Sequence, residues 1–545
     1  MKLKKTLSFL FVMILLLTFS SCRKNTQELS HNFSEPTNMG EETATKDYIT
    51  LLYSFADTFN PYTLSTDVNR QLCKLLYEPL VKLSNEFSPV YSLAKTVVTK
   101  GKKCTVTLKT ARFSDGSYVT GEDVEYSYNL AKKSKTSYGK KLYEVSSLSV
   151  TEDKVVFELK QNDPYFENVL DFPIIKKESD KEKDSDSVAL PPIGCGRYKL
   201  DKNRENLVLN DYYYGKKGSV KKIKLINAPD AESVAHYAEI GAADIYFSEI
   251  SDGNIMRMSG KKESINLNNM VYIGINQNYS PLNEPSLRQA ISSALNRVKI
   301  CETAFYNNAL AATGYFHPLW EETKSVQNIQ IETNSEITIE NLKEIGYNRL
   351  DSSGIRMNLN GISLKFTLLV NSENRIRVLV ANTIAKQLKD LGIGVTVVEK
   401  KYKQYKAALK KGNFQLYLGE VKFTDNMDLS SIIMQDGTAA YGLPKKAVKK
   451  DEKEETSSVN ESLGEVSSSE NKDKKSVKTL SQEIIEEYRK GKATIKDVAS
   501  VLQTEMPVVP VCYRTGVLFY NDNIENVNNS SLSDIYFSID SYVIN

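Results

Sequence analysis

Apolar and polar positions alternate from Asp47 to Phe55, and the stretch runs into Phe59-Asn60-Pro61-Tyr62, the pattern of a strand leading into a turn. Val68 to Leu83 (VNRQLCKLLYEPLVKL) carries apolar residues at helical spacing, with Pro79 bending or ending the helix. Cys104-Thr-Val-Thr-Leu-Lys alternates as a half-buried strand. After a turn at Asp115-Gly116, Thr120 with Asp123 three residues on forms a capping-box pattern, predicting a helix that runs to about Lys133. Further strands are predicted at 154–159, 196–200, 207–210, 221–227 and 270–276, and helices at 286–296, 339–344, 375–391 and 402–411. Strands at 364–370 and 395–398 flank the third of these helices. That β-α-β unit is the strongest α/β signal in the chain.

Three segments break the pattern. Glu178 to Ser187 (ESDKEKDSDS) is short and charged, as a solvated loop would be. Lys445 to about Lys478 mixes Lys, Glu and Ser with almost no apolar residue, so it cannot offset the entropy of ordering and is expected to be disordered. At the N-terminus, Lys2, Lys4 and Lys5 precede an apolar run from Leu7 to Phe19, too short to span a bilayer core of ~30 Å. The run ends in Phe19-Ser20-Ser21-Cys22, which resembles a bacterial lipobox, with Phe19 where Leu is usual. That resemblance implies a signal peptide over residues 1–22, acylation of Cys22 and anchoring in the lipid bilayer. Residues 23–46 are polar and aperiodic, as a flexible tether would be.

Composition narrows the classes. A chain of 545 residues, 41% hydrophobic, can bury a sizeable core, which rules out a wholly disordered chain or a small disulfide scaffold. Lys+Arg 71 against Asp+Glu 68 leaves a formal charge of +3, no argument for a nucleic-acid partner. Cys73, Cys104, Cys195, Cys301 and Cys512 are scattered, with no C-x-x-C pair, and are expected as buried thiols. Catalytic patterns are missing: no H-E-x-x-H, G-x-S-x-G or G-x-x-x-x-G-K occurs. Of three histidines, His31 falls in the tether, His236 in a helical stretch and His317 in a Phe-His-Pro-Leu-Trp loop, more in keeping with packing than with a metal site. Nothing points to an enzyme, a metal or another cofactor.

A set of ordered segments does resemble a family. Phe59-Asn60-Pro61 is similar to an early "F-N-P" turn, Leu76-Tyr77-Glu78-Pro79-Leu80-Val81 to "Y-E-P-L-V", and Phe113-Ser114-Asp115-Gly116 with Thr120 to Val124 to "F-S-D-G…T-A-E-D-V". Pro192-Ile193-Gly194-Cys195-Gly196-Arg197-Tyr198 resembles "P-I-G-T-G-P-Y", with Cys and Arg replacing Thr and Pro. Asn210-Asp211-Tyr212-Tyr213, Gly241 to Asp244, and Pro281-Leu282 with Leu287 to Ile291 continue the series. Over roughly residues 47–444 and 480–545, the chain resembles the bacterial extracellular solute-binding proteins of the oligopeptide, dipeptide and nickel class, which deliver ligand to an ABC importer.

The resemblance implies an α/β fold, a two-lobed periplasmic-binding-protein clamshell with mixed sheets flanked by helices. Lobe one would take residues 47–278, with an extra subdomain at about 64–190, and the C-terminal return 509–545. Lobe two would take 279–508, including the charged insertion 445–478. The protein would act as a monomer on the outer face of the cytoplasmic membrane, with a peptide or other small solute and an ABC permease as partners. For a ligand ammonium the resemblance offers Asp425, with Asp428 as its rival; a solvated acid is the competing role. Glu420 stands where the family's peptide binders carry Trp. Arg375 or Arg377 facing a ligand carboxylate competes with a plain surface role, and Phe55, Asn278 and Tyr279 as cleft wall compete with core packing. The departures at Cys195, Arg197 and Glu420 mark a divergent member. Beside the importer component stand three alternatives: a sensor with the same fold, a binder of a metal complex such as nickel, and an unrelated lipoprotein enzyme.

Overall fold

The computed structural model describes residues 47–250, 260–444 and 478–545. The signal, lipobox and tether, and nearly all of the charged insertion, lie outside the described residues.

Two long strands organise the molecule, Lys261–Ile275 and Val508–Tyr520, paired antiparallel. Onto the first is laid Leu416–Lys422, followed by Lys365–Asn371 and Gly394–Lys400; onto the second, Ile245–Ser248 and the short Ala309–Ala311. Strands Lys365–Asn371 and Gly394–Lys400 are parallel, and the helix joining them, Arg375–Asp390, buries Ile376, Val380, Ala381, Ile384 and Leu388 on one face. The β-α-β unit expected from periodicity is therefore present.

The described apolar residues form two large cores. One gathers side chains from Ile49 to Leu267 and from Leu518 to Tyr542; the other gathers those from Met270 to Tyr513, together with Phe87. The exchange falls between Leu267 and Met270 on one long strand and between Tyr513 and Leu518 on the other. The limits expected from the sequence, 278 and 509, lie several residues from these points. At the exchange the pairing slips: Asn266 faces Thr515, yet Met270 faces Tyr513, so the first strand bulges by two residues. The fold is an α/β clamshell of two lobes with mixed sheets.

Lobe one holds two four-stranded sheets. Tyr48–Tyr53 pairs parallel with Lys222–Asn227, which continues antiparallel into Asn206–Leu209 and Tyr198–Leu200. The second sheet is an antiparallel set, Ala94–Lys100, Lys103–Leu108, Lys154–Leu159 and Val145–Val150, packed by helix Gly121–Lys133. That helix starts as its sequence requires: the Asp123 carboxylate accepts from the Thr120 backbone N–H at 2.9 Å and from its hydroxyl at 2.9 Å.

The helix expected over 68–83 is shorter. It spans Asp67–Leu76 and ends before Pro79, and Val81–Leu83 is a strand paired with Pro89–Tyr91. Pro79 has no N–H to continue the helix and biases the backbone before it toward extended conformation. Gly194 and Gly196 pack closely on the helix end, where an added Cβ would meet the Leu76 carbonyl oxygen at 2.1 and 2.6 Å. Glu78 is fully buried and ion-paired to Lys82 at 2.7 Å. Arg197 explains its own departure: its guanidinium donates to the Tyr536 carbonyl at 2.8 Å and the Asp534 carboxylate at 2.6 Å, tying the C-terminal return to lobe one. Cys195 and the other four described cysteines are buried thiols. No described helix is long and apolar enough to cross a membrane.

Candidate functional site

Between lobe one and the end of strand Leu416–Lys422 opens a cleft of about 1110 Å³. Helix Asp67–Leu76, the segment 135–141, strand Ile245–Ser248 and the tail residues Leu532 to Tyr536 form one side, and Lys422 to Asp425 close the other. Tyr77, Tyr138, Tyr246, Phe247 and Phe423 give the wall an apolar body, and seven basic against five acidic side chains give it a slightly positive balance. A wall that is mostly apolar with a few convergent charges is what a small-molecule site requires.

The charges converge at Lys141. Its ammonium lies 2.6 Å from Asp171 Oδ2 and 2.6 Å from Asp425 Oδ2, and all three side chains are largely buried. Burial alone would lower the Lys141 pKa, but the two carboxylates hold it well above the ordinary lysine value. Burial raises Asp171 and the charge of Asp425 adds to it, with Lys141 opposing. Two carboxylates share one ammonium, and Asp171 Oδ1 is buried without a hydrogen-bond partner. The cluster thus keeps acceptor capacity and a surplus of negative charge.

The same cluster joins the lobes, Lys141 and Asp171 belonging to the first and Asp425 to the second. Beside it, Asn168 Nδ2 donates to the Asp425 carbonyl at 3.1 Å, and Asn426 Nδ2 to the Asp163 carboxylate at 2.6 Å. Phe87 inserts into the second core against His317, ring centroids 4.6 Å apart. His317 is fully buried, and burial depresses its pKa to about 3. Among the described residues no group of three His, Cys, Asp or Glu side chains is arranged to hold a metal ion.

Of the seven residues offered for ligand contact, Asp425 lines this cleft. Asp428 does not; it accepts from the Ser430 backbone N–H at 3.0 Å and pairs with Arg489 at 3.3 Å. Arg375 is exposed at the start of its helix, away from the cleft lining. Its neighbour Arg377 is buried and paired with Glu420, which also accepts from Arg514 Nε at 2.8 Å and Asn269 Nδ2 at 2.7 Å. Glu420 is therefore clamped inside the crossing sheet, a role the sequence alone does not disclose. Asn278 donates to the Asn276 side chain and the Leu443 carbonyl, Tyr279 is exposed beside it, and Phe55 is 78% exposed; none of the three lines the cleft.

Lys141 and Asp171 escaped sequence reasoning. Asp171 had a readable signal, since it interrupts an apolar run, Asn168-Val-Leu-Asp-Phe-Pro-Ile-Ile. A charge so placed is buried only when paired.

A family model described as bacterial extracellular solute-binding proteins, family 5, matches residues 88–441, more than half of the chain and both sides of the cleft. The chain belongs to that family. Over 426 residues this family 5 protein is 26% identical to the oligopeptide-binding protein AppA of Bacillus subtilis (strain 168), spanning 72% of this chain and 76% of AppA. Among solved structures, the unliganded open form of the periplasmic murein tripeptide binding protein MppA superposes with a TM-score of 0.67 at 15% identity, covering 92% of this chain and 98% of MppA. A nickel ABC transporter structure from Bacillus halodurans gives a TM-score of 0.67 at 17% identity, covering 91% of this chain and all of the other. At such identities these two likenesses carry the fold alone.

Proposed function

We propose that this protein is the substrate-binding lipoprotein of an ABC importer and captures short peptides in its interlobe cleft. The observation that carries the proposal is the Lys141–Asp171–Asp425 cluster, an anionic surplus set in the wall of a cleft of about 1110 Å³. That volume lies just above the roughly 300–1,000 Å³ usual for ligand pockets, enough for a molecule of several residues. A peptide's free ammonium would take up the spare acceptor capacity of Asp425 by a charge-assisted hydrogen bond, with Asp171 adding negative charge behind it. The relationship to AppA, an oligopeptide-binding protein, supports the same class of ligand.

Binding would draw the lobes together about the two long strands, and the closed form is what a permease would recognise. The protein itself transforms nothing. Acylation of Cys22 would hold it at the outer face of the membrane, two chains at ~0.8 kcal/mol per buried CH₂ making a stable anchor. Calorimetric titration of the full-length, detergent-solubilised chain with tri-, tetra- and pentaalanine tests the ligand class. One-to-one binding is expected, at least tenfold weaker after N-acetylation of the peptide or in Asp425→Asn. No heat with any peptide would contradict it.

A further inference from the structure

We propose that Lys74 is the anion subsite of the cleft, the cation that receives a carboxylate of the bound ligand. This rests on the peptide reading, in which that carboxylate is the peptide's free C-terminus. Lys74 stands on helix Asp67–Leu76 between two buried neighbours, Cys73 and Leu75, and its side chain lines the cleft. The other cations of the wall are accounted for. Arg70 pairs with Asp67, Lys82 with Glu78 and Asp534, Lys141 with Asp171 and Asp425, and Lys422 with Glu249. Lys135 and Lys140 stand exposed to water.

Lys74 differs from all of these. It is half-buried, and its ammonium donates to a neutral group, the Leu532 carbonyl, with no described carboxylate in ion-pair contact. Burial pulls its pKa down to about 8; Asp534 and Asp171 draw it up, while Lys422 and Arg70 press it down. A desolvated cation without a counter-ion is costly to keep, and an incoming carboxylate removes that cost through a charge-assisted hydrogen bond. The cleft then offers an anionic cluster at Asp171 and Asp425 and a separate cation at Lys74, a charge layout complementary to a zwitterion.

The test compares free-acid with C-terminally amidated tri-, tetra- and pentaalanine by calorimetry on the full-length chain at pH 7. The free acids are expected to bind at least tenfold tighter than the amides. In Lys74→Met, which keeps the apolar stem, the two forms are expected to converge to within about threefold, and Lys74→Arg is expected to retain the preference. Equal affinity of acid and amide in the unaltered protein would overturn the subsite while leaving the peptide reading intact. A preference that survives Lys74→Met would also overturn it. Failure of every peptide, acid and amide alike, would overturn the peptide reading and the subsite with it.

Discussion

Asp163 sits where the lobes meet, its carboxylate accepting from Asn426 Nδ2 at 2.6 Å and from the Tyr165 backbone N–H at 3.0 Å. Burial raises its pKa to about 6; those two hydrogen bonds pull it back, and the charges of Asp428 and Glu144 add to the rise. The native state therefore binds a proton between about pH 4 and pH 6 where the unfolded chain does not, so stability contributed by this group increases as pH falls through that window. A shift of about two units is worth ~3 kcal/mol. Urea denaturation of the unaltered protein and of Asp163→Asn, compared at pH 7 and pH 4, is expected to show that gain as the difference between the two. His317, buried and neutral, costs stability over the same window in both. Asp534 does not blur the window. Burial opposes its ionisation, but Arg197 and Lys82 hold it well below the usual carboxylate range, so its contribution is lost only at more acid pH. At this scale the sequence was a partial guide. It offered Asp425, which lines the cleft, and Asp171 left a trace by interrupting an apolar run, but Lys74 and Lys141 depend on contacts between residues far apart in the chain, which no local pattern encodes.

Helices and strands were more legible, because periodicity and capping are local. Helix Tyr402–Lys411 and strand Lys154–Leu159 run as the pattern requires, and the Thr120–Asp123 capping box is made. Helices Leu480–Arg489 and Ile495–Glu505 are not among the expected elements, although Thr479 with Gln482 and Thr494 with Asp497 make the same capping boxes. The long strand Lys261–Ile275 was legible only in its apolar half. Its other half reads Lys-Lys-Glu-Ser-Ile-Asn-Leu-Asn-Asn, a polar stretch that folds as strand because Asn266, Asn268 and Asn269 are buried and donate to the Asn85 and Thr424 carbonyls and the Glu420 carboxylate. The C-terminal return is held by Arg197, which is 5% exposed and bonded to Asp534. Arg197→Met leaves Asp534 with Lys82 alone. It is expected to cost about 3–5 kcal/mol in a denaturant titration, as breaking a buried pair does. An unchanged midpoint would show the return to be held by its apolar contacts alone.

Across the whole molecule, two cores joined by two long strands make a clamshell, and the cleft takes side chains from both. The family was legible because its ordered turns and caps are scaffold, which each stretch of sequence must specify for itself. The ligand was not, because specificity resides in a few charges that the fold brings together. Those charges, Lys74 and Asp171 from the first lobe and Asp425 from the second, argue for a zwitterionic solute held between the lobes. Native mass spectrometry of the full-length chain, purified without added ligand, tests this most directly. The expected result is a heterogeneous set of short-peptide adducts, released on unfolding and lost in Asp425→Asn. A single clean apo mass, with no thermal shift across a panel of free-acid peptides, would contradict the account.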